Sequence, residues 1–216
     1  MTTVSKWSKV AVAMQSALGD QLEITAISKA NPGVVTIGSP IGSVANGAYV
    51  VLSNIQGMTQ VDGRVFRVAA AAGNTFQLEG EDTSLYDTFT SGVANVATLG
   101  TSLATATGLT ASGGDFDFID VTTIHDSTKK QIPGIASAAA YTFENLWDPG
   151  DTALAAMKTA SDNQAQRVFR FTFSNGKIVV FNGYVGCTML PVGNAQDKVT
   201  TQVVVTMFGR ATMYAS

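Results

Sequence analysis

The sequence predicts a mainly β protein with one packed α-helix, and three observations support this. Short apolar runs recur along the chain and are separated by turn pairs such as Asn46-Gly47 and Asp62-Gly63, as in antiparallel barrels and sandwiches. The segment Val168–Phe173 alternates so that its phenylalanines share one face, and the hairpin signal Asn175-Gly176 follows it. Apolar residues at helical spacing are clear only in Asp151–Asn163.

Charge is scarce over the whole chain. Of its 216 residues, 13 % are charged and 45 % are hydrophobic, whereas about 25 % are charged in an ordinary soluble domain. A surface with so few charges suits a protein that is largely covered by copies of itself. The net charge is −3 and there is no basic tract, so the chain lacks the electrostatic footprint of a nucleic-acid-binding protein.

The single cysteine and the N-terminal segment exclude further classes. Cys187 excludes an internal disulfide and a cysteine-based zinc site, and its apolar neighbours predict a packed thiol on a strand. Val10–Met14 is too short for the apolar region of a signal peptide, so we predict a strand there and synthesis in the cytoplasm. No stretch approaches the ~20 apolar residues of a membrane span, and we expect no membrane partner.

The segment from Leu22 to Val96 has a character of its own and is predicted to be a small all-β module. Short strands are separated by turns, of which Asn31-Pro32-Gly33 and Gly73-Asn74 are examples. The predicted strands are Leu22–Ile27, Val34–Ile37, Tyr49–Leu52, Val65–Val68 and Thr75–Leu78. Strands of this length and spacing are typical of an antiparallel barrel or sandwich.

The part from Ala97 to the C-terminus is predicted to be a β-sheet layer. Its first strands are predicted at Thr98–Thr107 and Asp115–Val121, and the second of these is predicted to be half-buried because carboxylates and apolar residues alternate. Thr122–Ser137 is polar and predicts a long loop, a feature that is often functional in compact domains. Ala138–Trp147 resumes a strand, with Trp147 in the core.

One helix is predicted to pack on this sheet. Asp151 or Thr152 can cap its N-terminus, and Leu154 and Met157 form an apolar stripe together with alanines. Further strands are predicted after the hairpin and are Tyr184–Leu190 and Val199–Phe208.

The hairpin around Asn175-Gly176 is predicted to have a two-residue turn that pairs Ser174 with Lys177. Phe171 then faces Val180 across the two strands. The predicted hairpin core is Phe169, Phe171, Phe173, Ile178 and Val180.

The sequence contains no catalytic constellation. His125, the single histidine, lies beside Asp126 in the polar loop, and an exposed loop histidine is expected there rather than part of a catalytic triad. Asp115, Asp117 and Asp120 are too few for the roughly six to eight oxygens of a calcium site. We therefore expect no enzyme activity, no metal and no cofactor.

Two further sets of charged residues are interpreted as solvated. Glu79, Glu81 and Asp82 follow a strand, and a solvated turn is expected for them. Arg170 lies opposite the phenylalanine face of its strand. Either it lies on a solvated face, or it pairs with an acid across a subunit boundary.

An ordered series of segments near the C-terminus carries a family resemblance. The series is Ala153-Leu154-Ala155, Val168–Phe173, Ser174-Asn175-Gly176, Val179–Val185, Lys198–Thr206 and Phe208-Gly209-Arg210. It resembles the end of the major tail tube proteins of lambda-like long-tailed phages, and the resemblance covers about Thr142 to Thr212. Leu109–Ile135 occupies the place of that family's long hairpin loop.

The resemblance also implies a division of the chain. Residues 22–96 depart from the simplest tube proteins and are interpreted as a small β-barrel-like module. It would be inserted between the first and second strands of a tail tube β domain, a sandwich or barrel formed by residues 1–21 and 97–216. We expect the module on the outer surface of a tube. Its turn pattern is similar to one in phage structural proteins and to a small β domain of ubiquitin-activating enzymes, from which nothing enzymatic follows.

The function that the resemblance implies is structural. Subunits of this family form hexameric rings whose inner sheets join into one β-barrel around a lumen, and the rings stack into the tail tube of a virion without a contractile sheath. DNA passes through without specific binding, along a wall that should be neutral or acidic. The implied partners are the chain itself and the tail-tip or initiator, tape measure and terminator proteins.

The resemblance assigns ring stacking to the loop Thr122–Ser137 and to the N-terminal arm. The candidate stacking residues are Thr123, His125, Asp126, Lys129, Lys130 and Pro133. Asp115, Asp117 and Asp120 are candidates for acidic surface or lumen residues.

Two other functions stay open beside the favoured tube subunit. One is a tail-associated binding or decoration module that recognises a host-surface glycan. An aromatic cluster on one exposed face would indicate it, but Trp7 and Trp147 lie apart. The other is a small hydrolase, which would need His125 or a carboxylate pair in a pocket.

Overall fold

The protein is mainly β, as the sequence predicts. The computed structural model describes residues 9–38 and 44–215, which form fifteen β-strands and one α-helix, α1 (Thr152–Asp162). In chain order the strands are β1 (Ala11–Met14), β2 (Ala17–Ile27), β3 (Val34–Ile37), β4 (Tyr49–Gln56), β5 (Val65–Ala72), β6 (Thr75–Leu78), β7 (Ser91–Thr98), β8 (Thr101–Ser102), β9 (Ala106–Ser112), β10 (Phe116–Asp120), β11 (Gln131–Ala136), β12 (Ala140–Leu146), β13 (Gln166–Thr172), β14 (Ile178–Cys187) and β15 (Thr200–Tyr214). They form a closed barrel, a seven-stranded sheet and a two-stranded hairpin.

Strands β2 to β7 form the closed antiparallel barrel, in the order β2-β3-β6-β5-β4-β7. This decides between the barrel and the sandwich that the turn spacing allows. Fully buried side chains fill the interior, among them Val35, Leu52, Phe66 and Phe76. Closure pairs every strand on both sides, so that the barrel itself presents no free edge.

Two strand connections join the barrel to the sheet, and they run side by side. The chain enters the barrel from β1 into β2 and leaves it from β7 into β8. Ala17 pairs with Thr98 at the base of the barrel, and Met14 pairs with Thr101 in the sheet. The predicted strand at Thr98–Thr107 is wrong as one continuous strand, since β7 ends at Thr98, β8 covers only Thr101–Ser102 and β9 begins at Ala106.

The seven-stranded sheet has the order β8-β1-β13-β14-β15-β12-β9. One of its faces holds a core of four fully buried phenylalanines, Phe143, Phe169, Phe171 and Phe181, beside which Phe173 is partly buried. Neighbouring rings have centroids between 5.5 and 6.0 Å apart, in stacked or edge-to-face arrangements. Because β1 and β12 to β15 all contribute to this core, the sheet curls around it as an incomplete barrel.

Helix α1 covers this core. Asp151 caps the helix, because its Oδ1 accepts a hydrogen bond from the backbone N–H of Leu154 at 2.8 Å. The predicted apolar stripe, which includes Leu154 and Met157, is buried. The predicted helix is confirmed, and Asp151 rather than Thr152 is its cap.

The predicted register of the β13–β14 hairpin is wrong by one residue. Phe171 pairs with Val179 instead of Val180. A shift of one residue exchanges the two faces of a strand, so Phe181 joins the phenylalanine face. Ile178 and Val180 contribute to a cluster on the opposite face instead.

The turn of this hairpin explains the error. The Phe173 N–H donates to the Lys177 carbonyl at 2.9 Å, so that three residues rather than two lie between the strands. Gly176, the last of them, has a φ of 84°. Three-residue hairpin loops need a residue in the left-handed region at that position, and glycine adopts it without steric cost.

Strand β15 continues past the predicted end at Phe208 as far as Tyr214. Gly209 has a φ of 81°, and the register against β14 shifts between Val180 and Asn182. A bulge of this kind bends a strand without ending it. It therefore carries β15 from the open part of the sheet to the contact with the barrel.

The barrel packs on the face of the sheet opposite the phenylalanine core. The buried residues in this contact are Tyr49, Val51, Val65, Ala97, Val168, Val180 and Tyr214. The Tyr214 hydroxyl accepts a hydrogen bond from the Arg67 backbone N–H at 2.6 Å, and the Arg67 guanidinium lies 4.5 Å from the Tyr214 ring centroid. Phe208 lies against Gly63, where a Cβ atom would collide with the ring.

Two acids that were predicted to be solvated are paired with arginines of the barrel. Arg64, which is 8 % exposed, forms a bidentate pair with Glu81, with one nitrogen–oxygen distance of 2.8 Å. Arg67 pairs in the same way with Glu79, with Nε 2.5 Å from Oε2. The solvated turn is therefore wrong for both acids, because Arg67 of β5 and Arg64, which directly precedes β5, reach across the barrel wall to them.

Arg170 faces the barrel rather than solvent. Its guanidinium lies 5.6 Å from the ring centroid of Tyr49, and its Nε is buried. The predicted solvated face is therefore wrong, and Arg170 belongs to the contact between barrel and sheet.

We expect Phe181→Ala to lower the free energy of unfolding by about 3–5 kcal/mol, because it empties a fully buried ring site. The exposed Leu85→Ala, at a residue that is 94 % exposed, should change it by less than about 0.5 kcal/mol. Denaturant unfolding of the two variants measures the difference. Equal effects would contradict the assignment of Phe181 to the core.

Stability should fall in strongly alkaline solution because of Tyr214. Burial raises the pKa of Tyr214 from 10.0 to about 12, so the unfolded chain loses this proton first. The contribution is complete below about pH 10 and is lost as the pH rises to about 12, with a magnitude of about 2–3 kcal/mol. Unfolding of wild type and Tyr214→Phe should show a larger fall in the wild type, because the variant keeps only Tyr86 and Tyr141 among the tyrosines with a raised pKa. A parallel fall in both would assign it to other groups.

Candidate functional site

The single histidine and the single cysteine lie outside any metal-ligating cluster among the described residues. His125 is exposed in the turn between β10 and β11. Within residues 9–38 and 44–215, no group of His, Cys, Asp or Glu is arranged to hold a metal ion. Cys187 is buried and burial raises the pKa of its thiol, which is typical of a packed rather than a reactive cysteine.

The most exposed element is the β10–β11 hairpin, which leaves the sheet between β9 and β12. Ile119 pairs with Ile132 in it, and Phe118 pairs with Pro133. The predicted loop over residues 122–137 is therefore only partly correct, because Gln131–Ala136 is strand β11. A proline and a glycine in this segment favour a loop from sequence alone, but both are tolerated in a ribbon whose edges are free.

The prediction that β10 is half-buried is also wrong. All five of its residues are exposed, although apolar and acidic side chains alternate along it. Alternation shows that the two faces of a strand differ, but it does not show what covers the apolar face. No layer of the same chain packs against β10 in the described structure.

Exposed apolar side chains are concentrated on this hairpin. They are Phe116, Phe118, Ile119, Val121, Ile124, Ile132 and Ile135, and we call them the hairpin patch. Ile124 is 97 % exposed. Clusters of this kind on a soluble chain are typical of a site that binds another protein surface.

The tip of the hairpin is held by hydrogen bonds of its own. The carboxylate of Asp126 accepts from the backbone N–H of Thr123 at 3.0 Å and from its hydroxyl at 2.9 Å. Asp126 also pairs with Lys130. These contacts, led by the one with Lys130, hold the pKa of Asp126 below its usual value. Lys129 is exposed and forms no ion pair with any described residue.

The structure brings the predicted stacking and acidic residues to this one hairpin. The residues of the turn are Thr123, His125, Asp126, Lys129 and Lys130, while Pro133 lies in β11. Asp117 and Asp120 lie in β10, and Asp115 directly precedes it. Asp115 thus lies at the base of the hairpin, Asp117 lies within β10, and Asp120 ends β10 beside the turn that carries the lysines. Their roles in assembly stay predictions.

Strand β9 is an open edge of the sheet. It pairs with β12 on one side only, and the opposite edge of the sheet is the two-residue strand β8. An apolar groove of about 280 Å³ lies beside β9 and is lined in part by Val10, Val12, Leu109 and Phe143. The unpaired backbone groups of such an edge are a template for pairing with another chain.

The sheet also has an open face, on the side away from the phenylalanine core and beyond the barrel. Cross-strand neighbours on it are Gly108, Thr110, Ser112, Ala140, Thr142, Glu144, Tyr184, Gly186, Gln202, Val204 and Thr206. Glu144 is the only charged residue among them, and Lys198 lies 3.6 Å from it. The open face is therefore close to neutral and consists mainly of small or uncharged side chains.

A second exposed apolar cluster lies at the end of the sheet opposite the hairpin. It consists of Leu146, Trp147, Leu190, Val192 and Val199, and we call it the terminal patch. The Trp147 N–H donates to the Val199 carbonyl at 3.0 Å, and its indole Nε1–H donates to the Met189 carbonyl at 2.9 Å. Trp147 is 37 % exposed, so the prediction that it belongs to the core is wrong.

The terminal patch was missed in the sequence, although a signal was present. Leu190 and Val192 flank Pro191 in an otherwise polar connection between β14 and β15. Apolar residues in a loop are easily assigned to the end of a strand, as happened for the predicted strand Tyr184–Leu190. The exposure of Leu190 and Val192 is seen only in the folded structure, which shows where the loop lies.

Comparison with known families decides between the functions that these surfaces allow. The family model described as phage tail tube protein, TTP, matches residues 56–216, from the end of β4 to the C-terminus. The chain belongs to this phage tail tube protein family. It is a structural component of the virion that assembles into a tube, and the resemblance noted in its C-terminal segments is confirmed. The match includes the hairpin, the open face and the terminal patch of this tail tube protein.

A search of the curated proteins gave no match for the tail tube protein. Within the described segments, no helix combines the length and the apolar character that a bilayer crossing requires. Membership of a structural family favours a non-enzymatic role.

The preformed hairpin tip can be tested by titration. We expect Lys130→Met to raise the pKa of Asp126 toward its usual value, because the pair with Lys130 contributes most to the lowering. Lys129→Met is the matched control and should leave the pKa of Asp126 unchanged. Carboxyl chemical shifts measured by NMR against pH give both values. Equal shifts in the two variants would contradict the observed tip geometry.

Proposed function

We propose that this tail tube protein forms hexameric rings that stack into the conduit through which DNA leaves the virion. The observation that carries the proposal is the exposed hairpin patch, which has no covering layer in its own chain. Assembly into a tube follows from membership of the family. The arrangement within it is argued from the open edge, the open face and the hairpin.

The open edge supports lateral association of copies. In the proposed ring, β9 of one copy lies beside the β1–β8 side of the next, and the apolar groove beside β9 is filled at this contact. The two edges of the sheet are different surfaces, so the contact is heterologous and closes into a ring when the rotation per copy is right. Ring formation of this kind also removes the edges that would otherwise promote aggregation.

The charge of the open face is suited to a surface that lines the lumen of the tube. A wall that carried lysine or arginine would retain DNA through its phosphates. The open face has one carboxylate with a lysine beside it and is otherwise uncharged. DNA can therefore slide along it without being held. The acids of the hairpin, Asp115, Asp117 and Asp120, would add negative charge where rings meet.

The hairpin supports stacking of one ring on the next. Its tip residues are ordered by Asp126, so that less conformational entropy is lost on contact. The N-terminal arm, the other element proposed for stacking, lies in residues 1–8, outside the described residues. Trp7 lies there as well.

The barrel is proposed to lie on the outer surface of the tube. The predicted module, residues 22–96, falls within its strands β2 to β7, which span residues 17–98. The tail-tip or initiator, tape measure and terminator proteins remain the proposed partners, and synthesis in the host cytoplasm remains the proposed origin. The glycan-binding alternative is supported only by one exposed aromatic pair, Tyr184 and Phe208, whose ring centroids lie 6.1 Å apart. On the described part of the barrel, no aromatic side chain is prominently exposed.

Deleting the hairpin should abolish tubes without unfolding the subunit. The cut predicted from sequence, Thr123 to Pro133, would leave β10 without its partner. Removing residues 116–135 is cleaner, since the Gly114 N–H bonds the Ser137 carbonyl at 3.2 Å and closes the base.

We expect the deleted protein to keep a cooperative thermal transition and to form no tubes in negative-stain electron microscopy at a concentration at which wild type does. Leu85→Asp, on the barrel, is the surface control and should form tubes. Tubes of normal length from the deleted protein would overturn the role proposed for the hairpin.

A further inference from the structure

The hairpin patch and the terminal patch lie at opposite ends of the same strands. The hairpin leaves the sheet where Ser112 of β9 pairs with Ala140 of β12. The terminal patch begins at Leu146, the other end of β12. The intervening strand spans roughly 20 Å at ~3.3 Å per residue. Each copy therefore carries one exposed apolar surface at each end.

We infer that the terminal patch is the docking site for the hairpin of a second copy in the adjacent layer of the tube. The inference rests on the proposed stacking and adds the receiving surface. Two different surfaces at opposite ends of one chain make a head-to-tail contact. Repeated head-to-tail contacts produce an open stack rather than a closed pair.

The chemistry of the two surfaces is complementary. The hairpin presents large apolar side chains, including Phe118 at 62 % exposure, and the terminal patch presents Leu190 at 66 % exposure. Burying them together removes apolar area from water on both sides.

Charges at the rims point to the same pairing. Lys129 at the hairpin tip has no ionic partner among the described residues. Asp148 and Asp197 border the terminal patch, and their carboxylates accept only backbone N–H groups, those of Gly150 and Lys198, each at 2.9 Å. The two rim carboxylates would attract the ammonium group of Lys129, because Lys130 is already paired with Asp126 in its own chain.

The preorganisation of both surfaces favours docking without rearrangement. The hairpin tip is closed by Asp126. The terminal patch is fixed by the Trp147 bonds and by the reciprocal backbone bonds between Val192 and Thr200, each 2.8 Å long. Two surfaces that are ordered before contact lose little conformational entropy when they meet.

Two matched single substitutions test the inference. Phe118→Asp alters the hairpin patch and Leu190→Asp alters the terminal patch, and both residues are exposed, so neither change should affect folding. Thermal unfolding of each variant verifies this. Leu85→Asp again serves as the control for an added surface charge on the barrel. Assembly is measured by sedimentation and by the length of tubes in negative-stain electron micrographs.

We expect each variant alone to lose tubes, whereas wild type and Leu85→Asp form them. An equimolar mixture of Phe118→Asp and Leu190→Asp should give stacks of two layers. The intact hairpin of the Leu190→Asp protein can enter the intact terminal patch of the Phe118→Asp protein, but growth then stops. Such a result requires that the two surfaces be the two halves of one contact.

Normal tubes from Leu190→Asp, while Phe118→Asp forms none, would overturn the docking inference and leave the stacking role of the hairpin intact. A mixture that forms no two-layer stacks would also overturn it. Wild-type protein that forms no tubes under any tested concentration or salt would instead count against the proposed function itself.

Discussion

The rest of the structure depends on the alternation of side chains along β13. Phe169 and Phe171 point to one side of that strand, and Phe181 meets them from β14. Helix α1 and the curled sheet enclose these rings, so one face of the sheet is fully occupied by its own chain. The open face, the unpaired edge of β9 and the hairpin take no part in the aromatic core, so they remain exposed. Successive side chains of a strand point to opposite faces of the sheet, so the core lies on one face and the open face lies on the other.

Local patterns predicted much of the fold because their signals lie within a few residues. The helix was predicted because its cap and its apolar stripe are read from one short segment. Five of the six barrel strands were predicted because turn pairs bound them, but β7 (Ser91–Thr98) was not predicted. The register of the hairpin was wrong because loop length depends on the conformation of Gly176, which the Asn-Gly pair leaves open. The pairs Arg67–Glu79 and Arg64–Glu81 join residues that are 12 and 17 positions apart in sequence, and no local pattern contains them.

The candidate site was predicted in part, for a physical reason. The hairpin was predicted only in part, as a strand over residues 115–121 and a polar loop over residues 122–137, and its exposure on both faces could not be read from alternation. The terminal patch brings together residues 146–147 and 190–199, which are distant in sequence. Only the pairing of β12 with β15 places them side by side. A functional surface that is assembled from separate segments therefore cannot be predicted from sequence patterns, and it is recognised only in the folded structure.

The side-by-side entry and exit of the barrel have a consequence for how such a protein can diversify. Ala17 and Thr98 are paired neighbours, so the chain returns to within about 5 Å of where it left. A shorter turn or an unrelated fold could bridge that gap with little loop-closure cost. The replacement would also have to pack against Tyr214, where Tyr49 and Val65 now lie. The paired ends of β2 and β7 would therefore allow the barrel to be exchanged as one unit without a break in the pairing of the seven-stranded sheet.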